Sequence, residues 1–305
     1  MKIFASCHNH SCFSDAEYTP EKLVEIAHSL GHGGIILTDH DTVSGTYFIN
    51  KAARKLGMKS LLGCEFNTWF YVRGEEVGVH LLGFDFNPEH REMKKLLEYC
   101  PSVQTARSEM MFHMGLERGT LREGVTWQEV RDAFPYNDYI CNNQVFKVMV
   151  DKGIYKPEEY VDQFFLPNFS SKLGLNDYIR KATGKSYKNV STADVVRVIR
   201  EAGGVPIVAH PAGKEKYAQD FLDIGVMGFE TRHSIFRPER NRGGETSRRF
   251  FEELCDAHHL YKMGGSDHEG ELGGYLEFGD AYYCPEELSG IPEEDFMKIY
   301  ERKLG

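Results

Sequence analysis

No stretch of apolar residues in this chain approaches the roughly 18 that a membrane span needs, and no charged and apolar leader is present. Membrane spanning and secretion are therefore not supported, and the reading is of a cytoplasmic protein. Paired cysteine spacing is missing too. The seven cysteines, at 7, 12, 64, 100, 141, 255 and 284, are odd in number and show no metal-finger pattern, which fits reduced thiols. Basic charge is short: 36 Lys and Arg face 46 Asp and Glu, for a net charge of −10. Phosphate contacts dominate affinity for long nucleic acid and need a basic stripe, so long nucleic acid is a poor partner, whereas a small phosphate compound or a short oligonucleotide needs only a local positive pocket. Internal repeats and low-complexity tracts are absent. What remains is an ordinary globular composition, 305 residues with 41% hydrophobic and 27% charged, enough to bury a core and carry an insertion.

The most informative segment is Cys7-His8-Asn9-His10-Ser11-Cys12-Phe13-Ser14-Asp15. Residues 1–5 read as a short apolar strand, and in extended chain His8 and His10 point to the same face, where both imidazoles reach one ion. Asp15 follows in a loop, just before Thr19-Pro20, a helix start with a threonine cap and proline in the first turn. The same arrangement of an apolar run ending in an ionisable side chain recurs. It appears at Thr38-Asp39-His40, at Gly63-Cys64-Glu65, at Ala209-His210-Pro211 and at Gly265-Ser266-Asp267, and Gly78-Val79-His80-Leu81-Leu82-Gly83 places a histidine within an apolar strand. Helices are predicted between them over residues 21–30, 43–56 and 191–202, each followed by a glycine stop at Gly31, Gly57 or Gly203. Strand, terminal ligand and helix in repetition is the pattern of a barrel of parallel strands with its site at their C-terminal face.

These ordered pieces resemble the polymerase and histidinol phosphatase (PHP) family of metal-dependent phosphoesterases. The resemblance implies an α/β fold, a distorted (β/α)7 barrel, formed here by residues 1–95 and 195–305, with a mostly helical insertion or lid over 96–194. It also implies two or three divalent ions, manganese, zinc or iron. Carried over by position, His8, His10, Glu65 and Asp267 hold one ion, Glu65, His80 and His210 its neighbour, and Asp15 with His40 begins a third. The family's third position commonly takes a histidine two places after the final aspartate, where this chain has Glu269, with a histidine one place earlier at His268. Either Glu269 substitutes a carboxylate, or His268 binds instead, or only two ions are held.

Paired cations neutralise phosphate oxygens and lower the pKa of a bridging water from about 15.7 towards about 7, so the implied reaction is attack of a metal-bridged hydroxide on a phosphate ester. His210 and His233 are candidate acids for the leaving group. Arg232, Arg237, Lys214 and Lys147 are candidates for gripping phosphate, while Arg240 and Arg242 read as a solvated run. Within the insertion, helices are predicted over residues 93–99, 104–118, 126–134, 144–152 and 156–164. The helical branch of the family often opens one such helix with a histidine followed three residues later by arginine; here the positions are Gln144 and Lys147.

The expected activity is a phosphoesterase that releases inorganic phosphate from a small nucleotide or sugar phosphate. Three alternatives stand beside it: a phosphodiesterase that opens a ribose cyclic phosphate and then releases phosphate, a 5'-3' exonuclease of short oligonucleotides, and a non-catalytic metal-binding scaffold.

Overall fold

The computed structural model of the chain describes residues 2–135, 137–169, 190–236, 244–267 and 290–302. Its first half builds β1 (Ala5–Ser6), α1 (Pro20–Ser29), β2 (Gly34–Ile35), α2 (Thr46–Lys55), β3 (Gly63–Val72) and β4 (Glu75–Phe84). Helix α1 starts where the sequence says it should, because Thr19 accepts the Lys22 N–H through its hydroxyl and Pro20 supplies a preset φ where no N–H is needed. There follow α3 (Arg91–Glu117), α4 (Trp127–Ala133) and α5 (Asn142–Asp151). Then come α6 (Thr192–Glu201), β5 (Val205–Val208), α7 (Ala218–Asp223), β6 (Gly228–Arg232), α8 (Gly244–Ala257), β7 (Tyr261–Gly264) and α9 (Glu293–Tyr300). No helix among the described residues is long and apolar enough to cross a membrane.

Strands β1 and β2 pair in parallel, and β3 to β7 form one five-stranded sheet in sequence order. The two groups touch at both ends. Cys7 donates its N–H to Gly264 and Asp267 donates to His8, which ties β1 to β7; Glu65 donates to Asp39 and Asp41 donates to Glu65, which ties the end of the β2 segment to β3. Close packing explains the Gly264-Gly265 pair: a Cβ on Gly265 would lie 2.3 Å from the His8 nitrogen, and one on Gly264 would lie 2.3 Å from the Arg232 carbonyl oxygen on β6.

The sheet departs from the all-parallel expectation. Strand β4 runs antiparallel to both β3 and β5. The cause is local. Arg73 and Gly74 form a two-residue connection with φ of 52° and 79°, the left-handed pair that a tight hairpin requires. Strand β3 accordingly does not end at Glu65 but continues to Val72, so Glu65 is delivered by the start of a long strand rather than by a terminus.

Side-chain alternation then sorts the chemistry. Cys64, Phe66, Val79, Leu81, Val208 and Phe229 join one apolar cluster on the outer face. The inner face carries Leu82, Phe84, Val205, Ile207, Tyr261 and Met263, capped by Phe296 and Ile299 of α9. Two-residue periodicity puts Glu65, His80 and Glu230 on that same inner face.

Between β4 and α6, the helical segment has a core of its own, with Phe112, Val130, Ile140, Val145, Phe146, Met149 and Phe164 fully buried. The break predicted between residues 99 and 104 is not there: α3 runs through Pro101, which lacks the N–H for one helical bond but is itself buried beside Cys100 and Val103. The helix predicted over 156–164 is instead a 3₁₀ turn, Pro157–Glu159, running into a π-helical turn, Tyr160–Phe165. The wider winding packs Tyr160 and Phe164 against Phe146, with ring centroids at 5.0 and 4.8 Å.

Candidate metal centre

Inner-face and loop positions converge on Glu65, which is 1% exposed. Its Oε2 lies 3.1 Å from His8 Nε2, 3.2 Å from His10 Nε2 and 3.3 Å from His40 Nδ1. Its Oε1 lies 3.0 Å from His80 Nδ1 and 3.2 Å from His210 Nε2, and those two nitrogens are 3.2 Å apart. Asp267 Oδ1 completes the first group, 3.2 Å from His8 Nε2 and 3.0 Å from His10 Nε2. A single carboxylate thus divides two sets of imidazole nitrogens, one per oxygen. A third set forms on the other side of His10, whose Nδ1 is 3.4 Å from Asp15 Oδ1, while His40 Nε2 is 3.5 Å from Asp15 Oδ2.

Asp15 is positioned through the loop that carries it. Asp39, buried, accepts from the Ser11 N–H and hydroxyl and from the Ser14 hydroxyl, each at 2.7 Å, which folds the 11–15 loop over the strand ends. From the helical segment, the amides of Asn137 and Gln144 both donate to the Ser14 carbonyl. Gln144 also caps α5, accepting the Cys141 N–H at 2.8 Å. The residue that stands where the helical branch often has histidine is therefore a tether between the segment and the ligand-bearing loop.

The residues present fit divalent cations. His8 Nε2, His10 Nδ1 and Glu65 Oε2 are buried with no hydrogen-bond partner, an arrangement that costs about 1–3 kcal/mol per group unless another species engages it. Four donors, from His8, His10, Glu65 and Asp267, lie within 4.8 Å of one another, as do those of His10, Asp15 and His40. Imidazole mixed with carboxylate is the donor chemistry of zinc, manganese and iron.

Electrostatics point the same way. Burial disfavours charge on His8, but Glu65, Glu230 and Asp267 outweigh it and hold the imidazole well above its usual range; burial likewise opposes charge on His10, with Asp15 leading the groups that overcome it. Burial works against the charged Glu65 and Asp267 carboxylates, yet the surrounding imidazoles hold both well below theirs. His40 and His210 go the other way: burial prevails and pushes each down to about 4, leaving neutral imidazoles. Left-handed backbone recurs at the rim, with φ of 56° at Asp41, 29° at His210 and 53° at Asp267. Such conformations cost energy in non-glycine residues and cluster where geometry serves a site.

A cavity of about 370 Å³ opens beside His40, Asp15 and His80 and extends under the helical segment, lined there by Arg107, Asn142, Asn143 and Tyr160. Tyr139 stacks on His40 with centroids 5.4 Å apart, and the Asn67 side chain bridges the Tyr139 hydroxyl and Asp41. Burial lowers the Arg107 guanidinium from its usual value.

The other predicted residues fall in varied places. His233 accepts the Ile235 N–H on Nδ1 and sets Nε2 3.1 Å from Asp267 Oδ2. Lys214 donates to the His210 carbonyl at 3.4 Å. Arg232 ends β6 and lies 3.6 Å from Glu252, and Lys147 pairs with Asp151 at 3.2 Å, 3.9 Å from Glu17. Arg237, His268 and Glu269 lie outside the described residues, as do Arg240 and Arg242. Sequence reasoning missed Glu230, Asp39, Asn67, Tyr139 and Arg107. Glu230 carried a signal, a charge in the apolar run Val226-Met227-Gly228-Phe229; Arg107 carried none, since a charge on a helix reads as a solvated face.

Comparison with known proteins gives a PHP domain over residues 6–131. A 5'-3' exoribonuclease of Haemophilus influenzae is 28% identical over 73% of this chain and 77% of its own length. A phosphoribosyl 1,2-cyclic phosphate 1,2-diphosphodiesterase of Eggerthella lenta is 24% identical over 87% and 94%, and a 3',5'-nucleoside bisphosphate phosphatase of Chromobacterium violaceum is 26% identical over 85% of each. Among solved structures, a protein of Bifidobacterium adolescentis described as a metal-dependent phosphoesterase matches 99% of this chain and 97% of its own, with a TM-score of 0.76 at 22% identity.

Proposed function

We propose that the chain, whose residues 6–131 match a PHP domain, uses its strand-end cluster to release inorganic phosphate from a small phosphorylated compound, a nucleotide or a sugar phosphate. The observation that carries this reading is Glu65, whose two oxygens each face a separate set of imidazole nitrogens, three at Oε2 and two at Oε1. In this proposal the two sheets, joined by the β1–β7 and β2–β3 hydrogen bonds, are a distorted (β/α)7 barrel and the helical segment is its lid. His8, His10, Glu65 and Asp267 would hold one ion, and Glu65, His80 and His210 its neighbour. His10, Asp15 and His40 offer a third position at the cavity mouth. Divalent cations there supply the Lewis acidity and charge neutralisation that phosphate ester hydrolysis needs near neutral pH.

The chain's own residues do the rest. His210, neutral through burial, suits ligation rather than proton donation, and His233, with Nδ1 already accepting a backbone N–H, suits holding Asp267. Arg107 lines the same cavity as Asp15, His40 and His80, so it would bind an anionic or polar group of the substrate. A walled cavity of this size favours a small compound over a long strand, in keeping with the net charge of −10. Cys7, Cys12, Cys64, Cys100 and Cys255 form no disulfide among the described residues, which favours the cytoplasm as its compartment.

A second reading, opening of a ribose cyclic phosphate followed by phosphate release, draws support from the Eggerthella lenta relative, which this chain matches over 94% of that protein. One panel tests both: phosphate release from nucleoside monophosphates and bisphosphates, sugar phosphates, ribose cyclic phosphates and short oligoribonucleotides. The first reading expects monoesters to be turned over fastest, and preference for the cyclic phosphate would move the assignment to the second. Turnover confined to oligoribonucleotides would overturn both.

A further inference from the structure

We propose that Glu230, which lies outside the predicted ligand set, is a positioning residue that links the two ion sets by fixing one imidazole in each. The inference rests on the reading of the cluster as a metal centre. Glu230 sits on the inner face of β6 and is fully buried. Its Oε1 is 3.0 Å from His8 Nδ1, and its Oε2 accepts the backbone N–H of His210 at 2.7 Å. A carboxylate has no proton to give, so the hydrogen of that first bond belongs to His8 Nδ1. In the neutral imidazole that binds an ion, Nε2 is then the bare nitrogen, and it is the one aimed at Glu65 Oε2 and Asp267 Oδ1.

The second bond acts on the backbone. His210 has a φ of 29°, a left-handed conformation unusual for a residue with a Cβ, and its amide is anchored by Glu230 Oε2. That anchor directs the ring to Glu65 Oε1 and His80. One buried carboxylate therefore sets a tautomer in the first ion set and a backbone conformation in the second.

Glu230 also lies with His8 and His233 in a group compact enough to suggest a further ion. The hydrogen bonds argue against it. Both Glu230 oxygens are engaged, His8 Nδ1 carries a hydrogen, and His233 Nδ1 accepts from Ile235, which leaves its proton on Nε2 facing Asp267.

Glu230→Gln is the sharpest variant, because glutamine offers one acceptor and one donor where the carboxylate offers two acceptors. It keeps one bond and opposes the other. Manganese titrations against a competing chelator should show at least one ion bound about 10- to 100-fold more weakly, with the circular dichroism spectrum preserved. Wild-type affinity for every ion in a folded Glu230→Gln protein, even with a lowered melting temperature, would overturn the proposal and leave Glu230 a packing residue. Should the variant fail to fold, the wild-type protein loaded with zinc still decides. Long-range ¹⁵N–¹H spectra, with His8 assigned by loss of its signal in His8→Asn, should show the proton on Nδ1, and a proton on Nε2 would refute the assignment. Wild-type protein that binds neither manganese nor zinc would instead overturn the metal reading itself.

Discussion

The strand ends and the helical segment both exclude water, yet they bury opposite kinds of side chain. In the helical segment Phe112, Phe146 and Phe164 are almost wholly buried among apolar neighbours, and the charges lie outside in pairs such as Arg122 with Glu159. At the strand ends His8, His10, Asp15, His40 and Glu65 are buried together, and three of their polar atoms have no hydrogen-bond partner. The first arrangement is stable through apolar burial alone. The second makes physical sense only with added positive charge, so the two regions should respond differently to the same kinds of perturbation.

The largest effect is expected from Glu65→Gln, which keeps the shape and removes the charge that divides the ion sets. Hydrolysis should fall at least about 10³-fold, and elemental analysis should find fewer ions, while the helical segment keeps its melting behaviour. Next is Phe164→Ala, which empties a site ringed by Phe146, Tyr155 and Phe169 and should cost about 3–5 kcal/mol in calorimetric unfolding. If the comparison holds, that variant still binds ions at the strand ends; their loss would mean that the two regions form one cooperative unit.

Arg107→Ala sits between the regions. Its cost should be about 10- to 100-fold in kcat/KM, borne by KM, with ion content unchanged. A purely structural arginine would leave KM alone. A smaller and graded effect concerns pH. Without metal, the carboxylates around His8 and His10 hold both imidazoles above their usual range, so each keeps its proton to higher pH and must lose it to bind an ion. Affinity should therefore rise with pH, by at most about tenfold per unit for each proton displaced. Chelator competition across the neutral range measures this, and a flat profile would contradict it.

The same contrast explains what was legible in the sequence. Apolar runs ending in His, Asp or Glu are visible one at a time, so the residues now gathered around Glu65 were all named from sequence. The direction of β4 was not read, because Val79-His80-Leu81 looks the same in either orientation and the information lies in Arg73-Gly74, a turn that was passed over. Continuity of α3 through Pro101 was hidden because tertiary packing overrides a local breaker. Arg107 and Tyr139 reach the cavity only through the fold of the helical segment, and nothing about Asp39 beside His40 marks it as the residue that holds Ser11 and Ser14. Residues that act through another side chain leave little trace in the sequence, whereas residues with the donor chemistry of a metal ligand leave a chemical one.

The most direct test is to purify the chain with manganese, count its ions, and measure phosphate release before and after chelation, alongside His8→Ala/His10→Ala. The account predicts at least two ions per chain, turnover that chelation abolishes and manganese restores, and a folded double variant without activity. Turnover that persists in metal-free protein, or a double variant that keeps full activity, would contradict it.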